Sequence, residues 1–249
     1  MDLVRRDIVN ERLRQKMVKD YVPLLFSDLT VKHGPFKGMI YPSARSTGSS
    51  LFPKLLGSYE QELRPIIETA CRIPYTEIVD IGCAEGYYAV GFARRSPSVK
   101  VFAFDTNSEA ISYCREMAVL NGVSERVITG GFCSPAILMG LPLTAKALII
   151  CDCEGYEKEL FSKQVIRHLS KHDLLIEVHD CIDIEISTVL VERFSDTYRI
   201  EEILSTDDTY KARKYHFPEL EGFSLHKRRE ILAENRSGIM SWFYLTPKN

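Results

Sequence analysis

Several residues able to do chemistry stand at the ends of short apolar runs in this chain. Ile78-Val79-Asp80-Ile81 runs into Gly82-Cys83-Ala84-Glu85-Gly86, and Val101-Phe102-Ala103-Phe104 ends in Asp105. Ala147–Cys151 is followed by Asp152, Cys153 and Glu154, and Leu174–Val178 is followed by His179. A carboxylate about 20 residues beyond a glycine loop can accept hydrogen bonds from both hydroxyls of a ribose. A histidine has the intrinsic pKa of a base that works near neutrality. Asp152 and Glu154 could orient an acceptor, neutralise an ammonium group or share a divalent ion.

The glycine loop narrows the ligand. A dinucleotide site uses G-x-G-x-x-G so that backbone amides approach a pyrophosphate at a helix N-terminus. Here only Gly82 and Gly86 are present, and Glu85 would oppose a diphosphate by charge. An adenosine without phosphate, held among carboxylates, fits S-adenosylmethionine, whose sulfonium and ammonium are both positive. The competing reading is a structural turn that binds nothing.

Asp80-Ile81-Gly82-x-x-x-Gly86 followed by Phe104-Asp105 resembles the first two motifs of class I methyltransferases. Asp152-Cys153-Glu154-Gly155-Tyr156-Glu157, and then Leu175-Ile176-Glu177-Val178-His179, resemble the FkbM-type methyltransferase family, with Cys153 where that family usually has a β-branched or apolar residue. The resemblance covers about residues 55–180. It implies a Rossmann-like, mostly parallel seven-stranded sheet of order 3-2-1-4-5-7-6, flanked by helices. It also implies that Asp80, Gly82, Glu85, Gly86 and Asp105 serve the cofactor. Phe132 and Cys133, after the third strand, fall where the adenine lies, although a turn packed on the core competes. Tyr59 and Glu60, in Gly57-Ser58-Tyr59-Glu60, resemble a segment bordering the cofactor's methionine end; a helix cap at Ser58 with Gln61 competes.

These residues need a scaffold, and the apolar pattern supplies one. Strands are expected at 78–81, 101–104, 126–129, 147–151, 174–178, 199–204 and 238–244, because short apolar runs bounded by turn residues read as buried strands. Helices are expected at 86–95, 108–121 and 183–197, and another opening near Leu56–Leu63 and running to about Cys71. Residues 1–55 read as an extension: a helix over 1–22, suited to lie on the domain or to join two copies as a homodimer, then a turn-rich stretch with a hairpin. Residues 56–249 read as the methyltransferase domain.

The segment 207–236 carries Tyr210, Lys211, Arg213, Lys214 and Tyr215, then His226-Lys227-Arg228-Arg229. Interleaved rings and cations suit recognition of an anionic or planar acceptor, whereas Glu219, Glu221 and Glu230 suit an ordinary solvated surface.

The chain as a whole sets bounds. Its 249 residues, 45% hydrophobic, allow a sizeable core. A net charge of −2 argues against nucleic acid as the partner. No apolar run approaches a membrane span, and the charged start does not read as a signal peptide, so the cytoplasm is expected. Seven cysteines without a C-x-x-C pair read as reduced thiols. Cys151, Cys153, His179 and Cys181 could converge on zinc, but small apolar fillers beside an active site is the favoured reading, so no metal is assigned.

The expected reaction is methyl transfer to a small hydroxylated molecule, a sugar or secondary metabolite, as the FkbM resemblance implies. Asp152, Glu154 and His179 are the candidates for catalysis, His179 as the base. The chain lacks the N-P-P-Y-type element of amino-methylating enzymes that act on flipped bases, and has no Pro-Cys for cytosine C5 chemistry. The rivals are a macromolecule methyltransferase acting on RNA or protein, and an inactive cofactor-binding partner subunit.

Overall fold

The structure is a computed structural model, and it describes residues 15–248. Its centre is a set of runs buried on both faces, which is what parallel strands require. In chain order the strands are β1 Glu77–Ile81, β2 Lys100–Phe104, β3 Val127–Gly130, β4 Ala147–Cys151, β5 Asp173–Val178, β6 Tyr198–Leu204 and β7 Ser241–Pro247. Every residue of β1, β4 and β5 is buried. The sheet order is β3-β2-β1-β4-β5-β7-β6, with β7 antiparallel to both of its neighbours. This is the topology expected.

Helices cover both faces: α1 at 15–25, α2 Leu51–Leu56, α3 Arg64–Ala70, α4 Tyr87–Arg95, α5 Ser108–Leu120, α6 Pro135–Gly140, α7 Glu157–Leu160, α8 Lys163–His168, α9 Ile186–Phe194, α10 Asp208–Lys214 and α11 Leu225–Leu232. Side chains alternate across the sheet, as the pleat demands. Ile78, Val101, Ala103, Leu148 and Ile150 pack with the N-terminal segment, α4 and α5. Val79, Phe102, Phe104, Ile149 and Cys151 pack with α6, α8 and α9.

Register brings the strand ends level. Ile81 pairs with Phe104 on one side and Cys151 on the other. The amide of Gly82 donates to Phe104 O (2.8 Å), and that of Asp152 donates to Ile81 O (2.8 Å). Gly82, Asp105 and Asp152 therefore leave the sheet along one edge. β5 pairs Ile176 with Cys151, so Glu177 and His179 lie beyond that edge.

Local differences from expectation have local causes. The helix expected to open at Ser58 does not. Gly57 ends α2 in the left-handed region (φ 83°), where a Cβ would stand 2.1 Å from His33 O. Ser58 is buried, and a 3-10 turn at Gln61–Leu63 precedes α3. β7 begins three residues later than expected, since Gly238–Met240 form the approach to the sheet, and the ninth helix is shorter at both ends.

The N-terminal segment is part of the core. Phe26, Val31, Phe36, Met39 and Tyr41 are almost wholly buried against α2, α4 and α5. A single antiparallel bridge, Thr30 to Ile40, stands where a hairpin was expected. Residues 1–14 of the expected N-terminal helix, and with them its apolar positions Leu3, Ile8 and Leu13, lie outside the described residues.

Candidate active site

A cleft of about 590 Å³ opens along the strand ends. Nine of the twelve expected site residues line it: Tyr59, Asp80, Gly82, Asp105, Phe132, Cys133, Asp152, Glu154 and His179. Glu85, Gly86 and Glu60 do not.

The loop after β1 is shaped by its own backbone. Gly82 has φ 82°, Ala84 φ 46° and Gly86 φ 93°, a left-handed sequence that turns the chain from strand to helix. Asp105 braces this loop: Oδ2 accepts from the Ala84 amide (2.9 Å), and Oδ1 from the Asn107 amide (2.7 Å). Each oxygen keeps a further lone pair, and the carboxylate borders the cleft. Asp80 is buried, and its Oδ2 has no hydrogen-bond partner. Burial pushes its carboxyl up to about 7, the Asp105 charge adding to this and the Ala89 amide opposing it. An orphaned buried acceptor on a cleft wall fits a ligand carrying a cationic donor.

Glu85 was expected to face the ligand; it is turned away instead. Fully buried, it accepts from Lys54 Nζ (2.6 Å), Ser46 Oγ (2.8 Å) and the Thr47 amide (2.9 Å). Its charge is spent on pinning the 43–50 segment, whose Thr47, Gly48 and Ser49 do line the cleft. Gly86 sits under the first turn of α4, where a Cβ would lie 2.7 Å from Cys114 Sγ, so its glycine serves packing. Glu60, in a left-handed conformation (φ 48°), stands behind Tyr59 and accepts from Tyr88 Oη and from Arg236 Nη2 (2.6 Å).

At the other end of the cleft, β4 and β5 deliver an acid-rich cluster. His179 is buried, and its Nδ1 lies 2.7 Å from a Glu157 carboxylate oxygen. Its Nε2 faces Asp152 Oδ1 (3.4 Å), Glu154 Oε2 (3.5 Å) and Glu177 Oε2 (4.0 Å). Burial works to lower the His179 pKa, but the Glu157 hydrogen bond and the surrounding carboxylates outweigh it, and the net shift is upward. Asp152 is pushed up to about 7 by burial first and then by the charges of Glu60 and Glu154. Burial and Asp152 likewise raise Glu177. Glu154 has φ 53° and Gly155 φ 99°, a tight turn that folds the Glu154 carboxylate back towards His179.

Arg236 and Glu177 were not among the expected site residues. Arg236, from the loop between α11 and β7, ties together Glu60, Glu177 and Glu234 and lines the cleft. Of the expected cations of 207–236, Arg213, Lys214, Lys227 and Arg229 are exposed and do not line the cleft. Lys211 is buried 2.5 Å from Glu234, and Arg228 donates to the Tyr215 carbonyl. The cations on the cleft wall, Lys54 and Arg236, are each held by carboxylates. That weighs against the anionic acceptor expected from the sequence. The cysteines weighed as an alternative zinc set do not join the carboxylate–histidine group: Cys151 is buried and Cys181 is exposed.

Comparisons with known proteins bear on the fold. Residues 66–136 match the Methyltransferase small domain family. The chain is 26% identical to a release factor glutamine methyltransferase of Flavobacterium psychrophilum, over 57% of this chain and 51% of that protein. It thus spans about half the length of that relative. Among solved structures, the chain is similar to a putative O-methyltransferase from Klebsiella pneumoniae (TM-score 0.53, 12% identity, 96% of this chain and 97% of that one). It is also similar to the O-methyltransferase TomG from Streptomyces achromogenes in complex with SAM (TM-score 0.51, 11% identity, 78% and 82%). The sheet order is that of the Rossmann-like fold of class I methyltransferases. The family match runs from α3 to the start of α6. No helix among the described residues is long and apolar enough to cross a membrane.

Proposed function

We propose that the chain methylates a hydroxyl oxygen of a small, uncharged acceptor held against Asp152, Glu154 and His179. The observation that carries this reading is the division of one cleft into two chemically distinct ends. Asp80 and Asp105 flank the glycine loop, while Asp152, Glu154 and His179 cluster past the ends of β4 and β5. Asp105 is suited to the ribose and the unpartnered Asp80 Oδ2 to the ammonium; Phe132 and Cys133 border the adenine position. When bound, S-adenosylmethionine supplies a methyl group on a positively charged sulfur that leaves as a neutral thioether.

The chain's own residues then have two tasks. They hold the acceptor in line, and they take up the proton that its oxygen loses. Asp152, with a carboxyl poised near 7, lies on the cleft face and is matched to that second task. His179 stands behind it, its ring fixed by Glu157. The saturated cations of the wall disfavour a phosphorylated or carboxylated acceptor. The FkbM-like Asp152–Glu157 stretch supports a hydroxylated small molecule. A second reading, methylation of a protein side chain, is favoured by the similarity to a release factor glutamine methyltransferase.

Transfer of labelled methyl to a panel of sugars, phenols, amines and glutamine-containing peptides separates the two. Label on hydroxylated small molecules supports the first reading, and label confined to peptides supports the second.

A further inference from the structure

We propose that Asp152, Glu154 and His179 form a binding site for a divalent cation with mixed oxygen and nitrogen ligands, of the kind that manganese occupies. The inference rests on the reading of these residues as the acceptor end of the cleft. Three independent features of the structure carry it.

The first is geometry. One ligand atom from each residue falls within 4.8 Å of the other two. Nε2 of His179 stands 3.4 Å from Asp152 Oδ1 and 3.5 Å from Glu154 Oε2. Ligands about 2.1–2.5 Å from one ion, at right angles to each other, stand roughly 3–3.5 Å apart. The trio is thus close to the arrangement an ion needs without further backbone movement. Three protein ligands also leave positions for an acceptor oxygen and water.

The second feature is orientation. The His179 side chain is only 4% exposed, and Glu157 engages its Nδ1 at 2.7 Å. Glu157 in turn accepts from the Gly155 amide at 3.2 Å, within the turn that carries Glu154. A carboxylate behind a histidine, fixing which nitrogen faces forward, is the usual support of a metal-bound imidazole. Nε2 faces Asp152 and Glu154 rather than Glu157, and Asp152 Oδ1 is a shielded oxygen without a hydrogen-bond partner.

The third is charge. Asp152, Glu154, Glu157 and Glu177 surround one imidazole within 4.0 Å. Arg236, the cation on the Glu177 side, also serves Glu60 and Glu234. Packing that many carboxylates together, partly out of water, calls for a compensating cation. Two carboxylates and one imidazole suit a manganese-like ion better than an all-oxygen magnesium cage or a thiolate zinc site. There the ion would draw charge from an acceptor oxygen and favour its ionised form.

The test is a titration of Mn²⁺ into the full-length chain, read by water proton relaxation. A parallel titration of S-adenosylhomocysteine by calorimetry serves as the control for folding. Saturable binding of one ion per chain is expected, weakened at least tenfold in both His179→Ala and Glu154→Gln, with S-adenosylhomocysteine affinity within about twofold of wild type. Absence of saturable binding, or equal affinity in the wild type and both variants, overturns the site. Turnover that is unaffected by EDTA yet lost in the variants overturns the ion while leaving the acceptor end of the cleft in place.

Discussion

A Cβ on Gly82 would stand 1.6 Å from the main-chain oxygen of Asp152. That contact joins the end of β1 to the end of β4, and so joins the glycine loop to the cluster of Asp152, Glu154 and His179. A side chain here would drive two backbones apart. Gly82 also sits at φ 82°, where any other residue is strained.

Gly82→Val is therefore expected to lower global stability by at least about 3 kcal/mol, the upper part of the range for overpacking. A Cβ on Gly140 meets nothing within 4 Å, so Gly140→Ala should change stability by no more than about 0.5 kcal/mol. Urea unfolding of the two variants beside wild type checks the contrast. Wild-type stability in Gly82→Val would mean that the strand ends are not packed as described.

Asp80 gives a pH dependence whose sign follows from its environment. Burial raises its carboxyl to about 7, above the unfolded value, so folding favours the protonated form. Stability falls as pH rises from the unfolded pKa, about 4, towards 7, and is level above that. A cationic ligand group beside Asp80 favours the ionised form and releases the proton on binding. Affinity for S-adenosylmethionine should then strengthen between pH 5.5 and 7, by up to about tenfold per unit. Asp80→Asn should flatten that slope in calorimetric titrations. A slope equal to wild type would assign the dependence to another group.

Lys54 and Glu85 form an ion pair with side chains 3% and 0% exposed. Removing one partner leaves the other charge buried, at a cost of about 3–5 kcal/mol. Lys54→Met should destabilise by that amount and loosen the 43–50 segment, giving faster amide exchange at Thr47. The Lys54→Met, Glu85→Leu double variant should recover part of the loss, since it leaves no buried charge. Thermal unfolding of both variants decides the matter. A single variant as stable as wild type would show that the pair contributes nothing.

The sheet was legible because its central strands are apolar runs buried on both sides, each ended by a polar or turn residue. Asp80, Asp105 and Asp152 were legible for the same reason: each interrupts or follows such a run. What the sequence hid depends on distant partners. Nothing near Glu85 discloses that Lys54, Ser46 and Thr47 consume its charge. The Ser58 and Gln61 pattern looks like a cap, but Gly57 had already ended the preceding helix against His33. Arg236 lies in a polar loop without periodicity. Its one local signal is the Glu234-Asn235-Arg236 triplet just ahead of β7. Glu177 could have been noticed as a charge inside an otherwise apolar strand.

The central claim is that one end of the cleft holds the cofactor while Asp152 and His179 serve the acceptor. The most direct test compares methyl-transfer rate with S-adenosylhomocysteine affinity in Asp152→Asn and His179→Ala, using the acceptor found in the label-transfer panel. Both variants should lower kcat by about 10²–10⁴, with cofactor-product affinity within about twofold of wild type. Wild-type rates in both variants, or affinity lost in step with rate, would contradict the division of the cleft.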